Sequence, residues 1–518
     1  MTGMTGTTGT TGGQDGDAAG TVGVDGLGHV HLVGIGGAGM STVAALLRAR
    51  GIVVSGSDAK EGATTVALRE LGVRVDVGHA AEHVEDADTL VVSSAIRPTN
   101  PELVRARERG TRVLHRSEAL AALMADRRAV AVAGAHGKTT TSAMIAVTLR
   151  HAGLDPSWAI GGTVLDADGG AGPAAGALAG ARHGTGDVLV AEADESDGSF
   201  LAYRPYVAVV TNIEPDHLDH YGTREAFEEA FVRFAERVEP DGWLVACADD
   251  DGARRLAATA RERAVRVRTY GTAPDADVRV GAWQVHPAGD GPGGTVTVTA
   301  PEGDDAVLRL AVPGAHNALN AAGAWTAARL LGVAPDVAAA GLARFHGTGR
   351  RFEDQGTVHG VRVVDDYAHH PTEVAALLAA ARPVAAGGRV VVLFQPHLYS
   401  RTRAFADAFA TALGAADVVV VTDVYAARED PDPAVTGALL TDRLVAAGHA
   451  ASSFVADRFE AARTVGRLAR PGDLVLTVGA GDVTELGPVV LDAVAQGLPA
   501  GHGDPGREGP PAGQGDPR

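Results

Sequence analysis

The feature that most constrains this chain is a strand–turn–helix pattern between Val130 and Thr141. An apolar run ends there in a glycine turn, and a helix is predicted to begin at Lys138. In such a turn, backbone N–H groups at the helix N-terminus surround an anion. The lysine adds a charge for the β- and γ-phosphates, and the next hydroxyl can bind Mg²⁺. The pattern predicts a phosphate loop made of Gly134, Ala135, His136, Gly137, Lys138, Thr139 and Thr140.

This loop is shorter than the common P-loop pattern, because Val132 stands where that pattern has its first glycine. The choice of lysine supports the phosphate interpretation: Lys60 and Lys138 are the only lysines among 45 basic residues. A compact ammonium suits a phosphate cradle, whereas a planar guanidinium does not fit it in the same way. The alternative is an exposed lysine in an ordinary strand–turn–helix. As a loop residue, Lys138 is expected to contribute nothing to the core.

Length, composition and net charge limit the class of protein to which this chain can belong. A length of 518 residues predicts three to four domains, and 45% hydrophobic with 4% aromatic residues is typical of a globular α/β chain. The net charge of −19 disfavours nucleic acid as a partner. The single Cys247 excludes an internal disulfide framework and fits a reducing cytoplasm. No apolar run reaches the roughly 18 residues of a membrane helix, and the N-terminus lacks a secretory signal.

A second glycine turn follows the first predicted strand, at His29–Val33. Gly34, Gly36 and Gly39 match the fingerprint that places a pyrophosphate at a helix N-terminus. The spacing leaves NAD and another diphosphate, such as a UDP-sugar, equally open. Small polar residues end the next two predicted strands. The candidate residues of this site are Gly34, Gly36, Gly37, Gly39, Met40, Ser57, Asp58 and Ser94.

Acidic and amide side chains extend the site around the phosphate loop. Glu192 ends a buried strand, where a carboxylate is a natural Mg²⁺ ligand, although a solvated acidic loop is the alternative. His217 lies in an Asp/His-rich segment after the next strand and could bind metal. Asn317 and Asn320 share a face of a predicted helix, where they could contact a base or cap the helix.

Strands and helices alternate in the last third of the chain, which predicts a parallel, doubly wound sheet with polar clusters at its carboxyl edge. The fold class is therefore α/β with three domains. Two are Rossmann-like, and the central one is a P-loop-type ATPase domain with a mixed sheet. The predicted limits are a disordered leader at 1–26, domains at 27–127, 128–345 and 346–498, and a disordered tail at 499–518.

Eight motifs in order resemble the Mur ligases of peptidoglycan synthesis, and the resemblance spans His29 to about Leu498. Within that family the chain is most similar to the ligases that add L-alanine. The motifs are His31–Ser41, Gly134–Thr140, Glu192–Asp197, Thr211–Asp219, His316–Asn320, Gly349–Phe352, Asp365–Glu373 and Gln395–Thr402. The resemblance implies that the first domain holds UDP, not NAD. Later-acting relatives use a carbamylated lysine, which this chain lacks after Lys138.

The resemblance also implies the reaction. ATP and Mg²⁺ would drive the joining of L-alanine to the lactyl carboxylate of UDP-N-acetylmuramate through an acyl phosphate. This step belongs to cell wall biogenesis and so to cell shape and division. By motif position, Lys138 would bind the ATP phosphates, Thr139 and Glu192 would hold Mg²⁺, and His217 would serve a second metal.

The remaining roles carried over by motif position lie nearer the C-terminus. Asn317 would contact adenine, with Asn320 nearby. Arg351 would approach the phosphates on domain closure, and Asp366 would meet the ribose. The amino acid would be framed by Tyr367, His397 and Arg401. A simpler alternative for Arg401 is an ion pair with Asp407.

Two other functions remain possible from the sequence. A related ligase that attaches a tripeptide to the same sugar nucleotide would share the phosphate and UDP motifs. An NAD-dependent oxidoreductase would rest on the N-terminal glycine fingerprint alone. The expected location is the cytoplasm, and the expected state is a monomer or homodimer.

Overall fold

The computed structural model describes residues 23–167, 178–215, 218–287, 291–301, 303–427 and 429–497. The predicted tail, most of the predicted leader and His217 lie outside these residues. Val24, within the range of the predicted leader, is buried in a short 3₁₀ helix. No helix in the described part of the chain has the length and apolar character that a membrane crossing requires.

The N-terminal region alternates strands with helices. Its elements are β1 (Val30–Val33), α1 (Ala38–Ala49), β2 (Val54–Asp58), α2 (Ala63–Glu70), β3 (Arg74–Val77), β4 (Thr89–Val92), α3 (Pro101–Arg109), β5 (Arg112–His115) and α4 (Arg116–Met124). The five strands form a parallel sheet in the order β3-β2-β1-β4-β5. Strand β1 is fully buried, and Gly34 turns the chain into α1 with a φ of +73°, a conformation that favours glycine. This confirms the predicted strand, glycine turn and helix.

The central region contains twelve strands and six helices among the described residues. They are β6 (Arg128–Ala133), α5 (Lys138–His151), β7 (Ser157–Ala159), β8 (Val164–Asp166), β9 (Ala181–Arg182), β10 (Val188–Glu192), β11 (Val207–Val210), α6 (Leu218–Tyr221), α7 (Arg224–Ala235), β12 (Trp243–Cys247), α8 (Asp251–Glu262), β13 (Val267–Gly271), β14 (Val278–Val280), β15 (Gln284–Val285), β16 (Gly294–Thr299), β17 (Ala306–Leu310), α9 (Ala315–Leu330) and α10 (Pro335–Leu342).

Most of these strands form one mixed sheet, in the order β15-β16-β14-β13-β12-β11-β6-β10-β7-β9, with β17 paired to β16. Strand β6 lies between β10 and β11, and both pair with it in parallel. The antiparallel pairs lie toward the two edges of the sheet. The mixed sheet is confirmed. The phosphate loop leaves the carboxyl end of a central strand, the usual ligand edge of an open α/β sheet.

The C-terminal region begins after β18 (Phe345–Thr348), which pairs with β8 of the central region. Its elements are β19 (Glu353–Val358), β20 (Val361–Asp366), α11 (Pro371–Val384), β21 (Val390–Phe394), α12 (Tyr399–Ala404), α13 (Ala406–Leu413), β22 (Val418–Val421), α14 (Ala438–Ala446), β23 (Ser452–Phe454), α15 (Arg458–Leu468), β24 (Leu474–Val478) and α16 (Leu486–Gly497).

The C-terminal sheet has the order β19-β20-β24-β21-β22-β23, with two separate apolar clusters packed against it. The predicted parallel sheet is confirmed for β20, β24, β21, β22 and β23. The edge strand β19, which was not predicted, runs antiparallel to β20. The two strands are joined by His359 and Gly360, whose φ values of +48° and +76° close a two-residue hairpin. The domain limits themselves stay predictions.

Candidate active site

The phosphate loop connects β6 to α5, and its two outer glycines adopt positive φ. Gly134 has a φ of +131° and Gly137 a φ of +85°. A Cβ atom at Gly134 would lie 2.2 Å from Thr211 Oγ1, and one at Gly137 would lie 2.7 Å from Asn320 Oδ1. Both glycines are therefore required by conformation and by close packing against distant segments. The helix predicted to start at Lys138 does so.

Lys138 is half-buried and packs against the loop. Its Nζ donates to Gly134 O at 2.7 Å and to Glu195 Oε1 at 2.9 Å. The Lys138 side chain is 15% exposed and that of Glu195 is 1% exposed. Burial raises the pKa of Glu195 to about 7, against the opposing effect of the Lys138 ammonium. The sequence pointed to the acids after β10 but did not identify Glu195 as the partner of Lys138.

Thr139 and Glu192 lie together at the start of α5 and the end of β10. Thr139 Oγ1 donates to the Glu192 carboxylate at 3.0 and 3.1 Å, and the Gly161 N–H donates to Glu192 Oε2 at 2.9 Å. A hydroxyl and a carboxylate beside a phosphate loop are the oxygen ligands that Mg²⁺ prefers. The two described residues of the predicted metal site therefore fit that ion.

A cavity of about 270 Å³ opens beside the loop, between the central and C-terminal regions. Asn317 and Asn320 line it from α9. The Asn317 amide donates to Pro313 O at 2.8 Å, and the Asn320 amide donates to Asn317 Oδ1 at 3.2 Å. Because α9 is capped by Gly314 without a side-chain bond, the helix-cap alternative for the two asparagines is wrong. The predicted ATP residues on this cavity wall are His136, Gly137, Thr139, Thr140, Asn317, Asn320, Arg351 and Asp366.

Arg351 and Asp366 form the C-terminal side of the cavity. The Asp366 carboxylate accepts hydrogen bonds from the N–H groups of Phe352 and Ala368, each at 2.8 Å. Burial raises the pKa of Asp366 to about 6. The guanidinium of Arg351 lies 5.1 Å from the centroid of the Tyr367 ring. Asp366 thus holds the backbone just before β19, next to Arg351, and just after β20.

His136 of the loop contacts the C-terminal region. Its ring nitrogens lie 3.1 Å from Glu373 Oε1 and 3.1 Å from Glu214 Oε2. His136, Glu214 and His370 each place a potential metal-binding atom within 4.8 Å of the others. Both nitrogens of His136 are engaged with carboxylates, so we do not assign a metal there. None of these cross-domain contacts was predicted.

Two of the residues predicted to bind the amino acid, Tyr367 and His397, belong to a row of rings in the C-terminal region. The ring centroids of Tyr367 and His369 are 5.2 Å apart, and those of His369 and His397 are 5.7 Å apart. Burial lowers the pKa of His369 to about 4, which keeps the imidazole neutral. Arg401 is buried on α12. Asp407 pairs instead with Arg443, at 3.2 Å from Oδ1 to Nε.

The N-terminal glycine turn is closed by the acid at the end of β2. The Gly36 N–H donates to Asp58 Oδ2 at 2.9 Å. A Cβ atom at Gly39 would lie 2.1 Å from Arg116 Nη1. Gly37 is exposed and caps α1, whereas the Met40 side chain is buried. Met40 can therefore offer a ligand only its backbone.

The two predicted serines of this domain differ in placement. Ser57 is buried, and its hydroxyl donates to Glu102 Oε2 at 2.6 Å. The Ser57 hydroxyl is therefore engaged inside the domain, a placement that strand position alone did not reveal. Ser94 is exposed in the turn after β4.

Family profiles match three consecutive parts of the chain. Residues 29–128 match the Mur ligase family catalytic domain, residues 132–328 the Mur ligase middle domain, and residues 350–481 the Mur ligase glutamate ligase domain. The chain belongs to the Mur ligase family. The matched parts follow the same order as the three larger sheets of this Mur ligase.

Individual relatives of this chain are ligases of the same family. A UDP-N-acetylmuramate–L-alanine ligase from Kineococcus radiotolerans is 61% identical, with 91% of this chain and 97% of the relative covered. A ligase of the same name from Renibacterium salmoninarum is 57% identical, with 90% of this chain and 96% of the relative covered. Among solved structures, MurC from Thermotoga maritima matches with a TM-score of 0.73 and 30% identity, covering 90% and 99% of the two chains. A murein peptide ligase from Psychrobacter arcticus matches with a TM-score of 0.63 and 25% identity, covering 91% of this chain and 100% of that chain.

Proposed function

We propose that this Mur ligase joins L-alanine to the lactyl carboxylate of UDP-N-acetylmuramate at the expense of ATP. The observation that carries the proposal is the 61% identity, over nearly the whole length, to a relative of that activity. The murein peptide ligase is less similar, at 25% identity. The tripeptide alternative is therefore the weaker one, and none of the relatives described above supports the oxidoreductase alternative.

The reaction has two steps. A lactyl carboxylate oxygen attacks the γ-phosphorus of ATP, and ADP leaves with the electron pair of the broken P–O bond. The L-alanine nitrogen then attacks the acyl carbon, and phosphate leaves while the nitrogen loses a proton. The protein contributes mainly position and charge, as is usual for phosphoryl transfer. In the proposed assignment, the ammonium of Lys138 and the guanidinium of Arg351 face the γ-phosphate.

Lys138 must exchange partners when ATP binds. Its ammonium is held by Glu195 and by the loop carbonyls, so the phosphates compete with those groups for it. The exposed fraction of the Lys138 side chain, 15%, is small, which keeps water from the ammonium. A charge in such a poorly hydrated site interacts more strongly with developing negative charge than it would in water.

Thr139 and Glu192 are proposed to hold Mg²⁺, which would neutralise charge on the β- and γ-phosphates when bound. Their mutual hydrogen bond keeps the two oxygen ligands together in the absence of the ion. His217 stays a predicted ligand of a second metal. Asn317 and Asn320 are proposed to contact the adenine, and Asp366 to act near the ribose.

The outer domains are proposed to carry the other two substrates. The turn at Gly34–Gly39 would bind the pyrophosphate of the sugar nucleotide through backbone N–H groups. L-Alanine would lie between Tyr367, His397 and Arg401, with its carboxylate paired to the guanidinium of Arg401. The proposed location is the cytoplasm, and the oligomeric state stays predicted as monomer or homodimer.

Product analysis tests the function. Purified protein, ATP, Mg²⁺ and UDP-N-acetylmuramate are incubated with L-alanine or with the tripeptide, and phosphate and coupled product are measured. We expect product with L-alanine. Faster coupling of the tripeptide would support the alternative ligase. Micromolar NAD binding without UDP-sugar binding would contradict both ligase functions.

A further inference from the structure

The phosphate loop and the C-terminal domain meet at one imidazole. His136 lies between Glu214, which follows β11 of the central domain, and Glu373, in the first turn of α11. Both nitrogen–oxygen distances are 3.1 Å, so the doubly protonated ring can donate to both carboxylates. The His136 side chain is 15% exposed, and that of Glu373 is 10% exposed. The contact between His136 and Glu373 is therefore largely shielded from water, whereas the Glu214 side chain is 37% exposed.

A second contact crosses the same boundary. Thr372 Oγ1 donates to Glu214 Oε1 at 2.8 Å, so Glu214 contacts both the loop histidine and the first turn of α11. On the central side, the backbone N–H of His136 donates to Asn212 Oδ1 at 2.9 Å, which fixes the loop to the segment after β11. The first turn of α11 is thus bonded to the phosphate loop directly and through Glu214.

Glu373 also connects this boundary to Arg351. Its Oε1 atom lies 3.8 Å from Arg351 Nη1, and its Oε2 atom accepts from the His369 N–H at 2.9 Å. Arg351 and His136 therefore share one carboxylate oxygen, each from a different domain. Any shift of α11 away from the loop would separate His136 from Glu373 and would move the anion that faces Arg351.

The charges around His136 favour its cationic form. Burial by itself lowers the pKa of His136, but the carboxylates of Glu214 and Glu373 outweigh it and raise that pKa to about 9. The charges facing Glu373 overcome its burial and hold its pKa well below the usual range. The His370 ring lies 4.9 Å from that of His136. His369, beside Glu373, is neutral because burial lowers its pKa to about 4.

We propose that His136 is a positioning residue that docks the first turn of α11 on the phosphate loop and so places Arg351 in the ATP cavity. This inference rests on the proposed ligase function. It assigns to His136 a role beyond contact with ATP. The imidazolium compensates two carboxylates that would otherwise repel each other across the boundary, so its charge keeps the two domains together.

His136→Gln tests the proposal, because glutamine retains hydrogen-bonding groups but has no charge. We expect kcat to fall about tenfold or more, since a displaced phosphate-contacting group is costly, while the KM for UDP-N-acetylmuramate changes less than twofold. The wild-type kcat should decline above about pH 9, where His136 loses its proton. The variant should lack that decline.

His449→Gln is the matched control. His449 also uses both ring nitrogens, at 2.9 Å from Ser452 Oγ and 2.8 Å from Ala416 O, but it lies wholly inside the C-terminal domain. We expect its kcat and pH profile to match the wild type. Equal losses in His136→Gln and His449→Gln would overturn the proposal, because they would indicate general destabilisation.

A double-mutant cycle with Glu373→Gln provides the second measurement. If the two groups act together, the double variant should be no slower than the slower single variant. Multiplicative losses, or a His136→Gln kcat within twofold of the wild type, would refute the inference. Product formation by the wild type from L-alanine tests the ligase function separately. A failure there is therefore distinguishable from a failure of the His136 assignment.

Discussion

Replacing Lys138 by methionine separates the folding role of this lysine from its catalytic role. The sequence placed Lys138 in a loop and predicted no contribution to the core. The structure instead buries its ammonium 2.9 Å from a Glu195 carboxylate that is only 1% exposed. Methionine has a similar length and no charge, so the substitution leaves Glu195 buried without its cationic partner. We expect a stability cost that depends on pH.

The size of that cost follows from the Glu195 pKa. The value is about 7 in the folded protein against 4.5 for the free side chain. A carboxyl whose pKa is raised by folding makes the fold less stable as pH rises from 4.5, and the loss stops at the folded pKa. In the variant the pKa rises further, so the loss continues beyond pH 7. Above pH 7 the variant should fall behind the wild type by about 1.4 kcal/mol per pH unit, up to its own pKa.

Urea unfolding of the two proteins at pH 6, 7, 8 and 9 measures this difference. At pH 6, where Glu195 is largely protonated in both, the stability difference should be smallest, and it should then reflect the lost hydrogen bonds from Lys138 to the loop carbonyls. Glu195→Gln alone and Glu195→Gln combined with Lys138→Met both lack the titrating group, so the stability difference between these two proteins should not change from pH 6 to pH 9. The reasoning would be refuted if the stability difference between wild type and Lys138→Met were the same at every pH, or if the difference between the two Glu195→Gln proteins changed with pH.

The same variant should lose activity at every pH. Removing the ammonium beside the γ-phosphate is expected to lower kcat on the order of 10³-fold, about 4 kcal/mol. The double variant should regain stability without regaining kcat. Retention of more than a tenth of the wild-type kcat at saturating ATP would contradict the assignment of Lys138 to the phosphates.

Three further substitutions test the glycine turns and the amino-acid pocket. Gly134→Ala would place a Cβ atom 2.2 Å from Thr211 Oγ1, at a residue whose φ is +131°. The affinity for ADP, measured by calorimetry, should therefore fall about tenfold or more. An unchanged affinity would exclude this loop as the phosphate site. Gly36→Ala, whose Cβ atom would lie 2.9 Å from Asp58 Oδ2, should weaken UDP-N-acetylmuramate binding by a similar factor, and micromolar NAD binding by the wild type would overturn the diphosphate assignment. Arg401→Lys keeps the positive charge but loses the planar guanidinium that can pair with a carboxylate through two hydrogen bonds. The KM for L-alanine should therefore rise about tenfold, with little change in the KM for ATP. Equal shifts in the KM of all three substrates would place the pocket elsewhere.

The sequence was sufficient for features that depend on neighbouring residues. The apolar run, the glycine turn and the helix at Lys138 are encoded within a dozen residues, so local backbone preferences specify them. The parallel N-terminal sheet followed from the alternation of strands and helices, whereas short alternating runs between residues 266 and 312 indicated the mixed central sheet. The hairpin after β19 was missed, although the His359-Gly360 pair carried a local signal for it.

Tertiary structure decided which side chains meet. Glu192 and Glu195 are three residues apart, yet one accepts from Thr139 and the other from Lys138. Sequence position does not distinguish the two carboxylates, because their partners depend on how the end of β10 faces the loop. The Ser57 hydroxyl, expected beside a ligand, is instead bonded to a buried carboxylate on α3.

The bond between His136 and Glu373 joins residues that are 237 positions apart. Sequence spacing contains no information about that distance in space, which is set by the packing of α11 on the phosphate loop. The pKa of His136 follows from the same packing, since it depends on which carboxylates approach the ring and how far water is excluded. The sequence by itself therefore determined the local motifs and the order of the domains. The charges within the site were decided only when distant segments packed together, because electrostatic interactions depend on distance and burial.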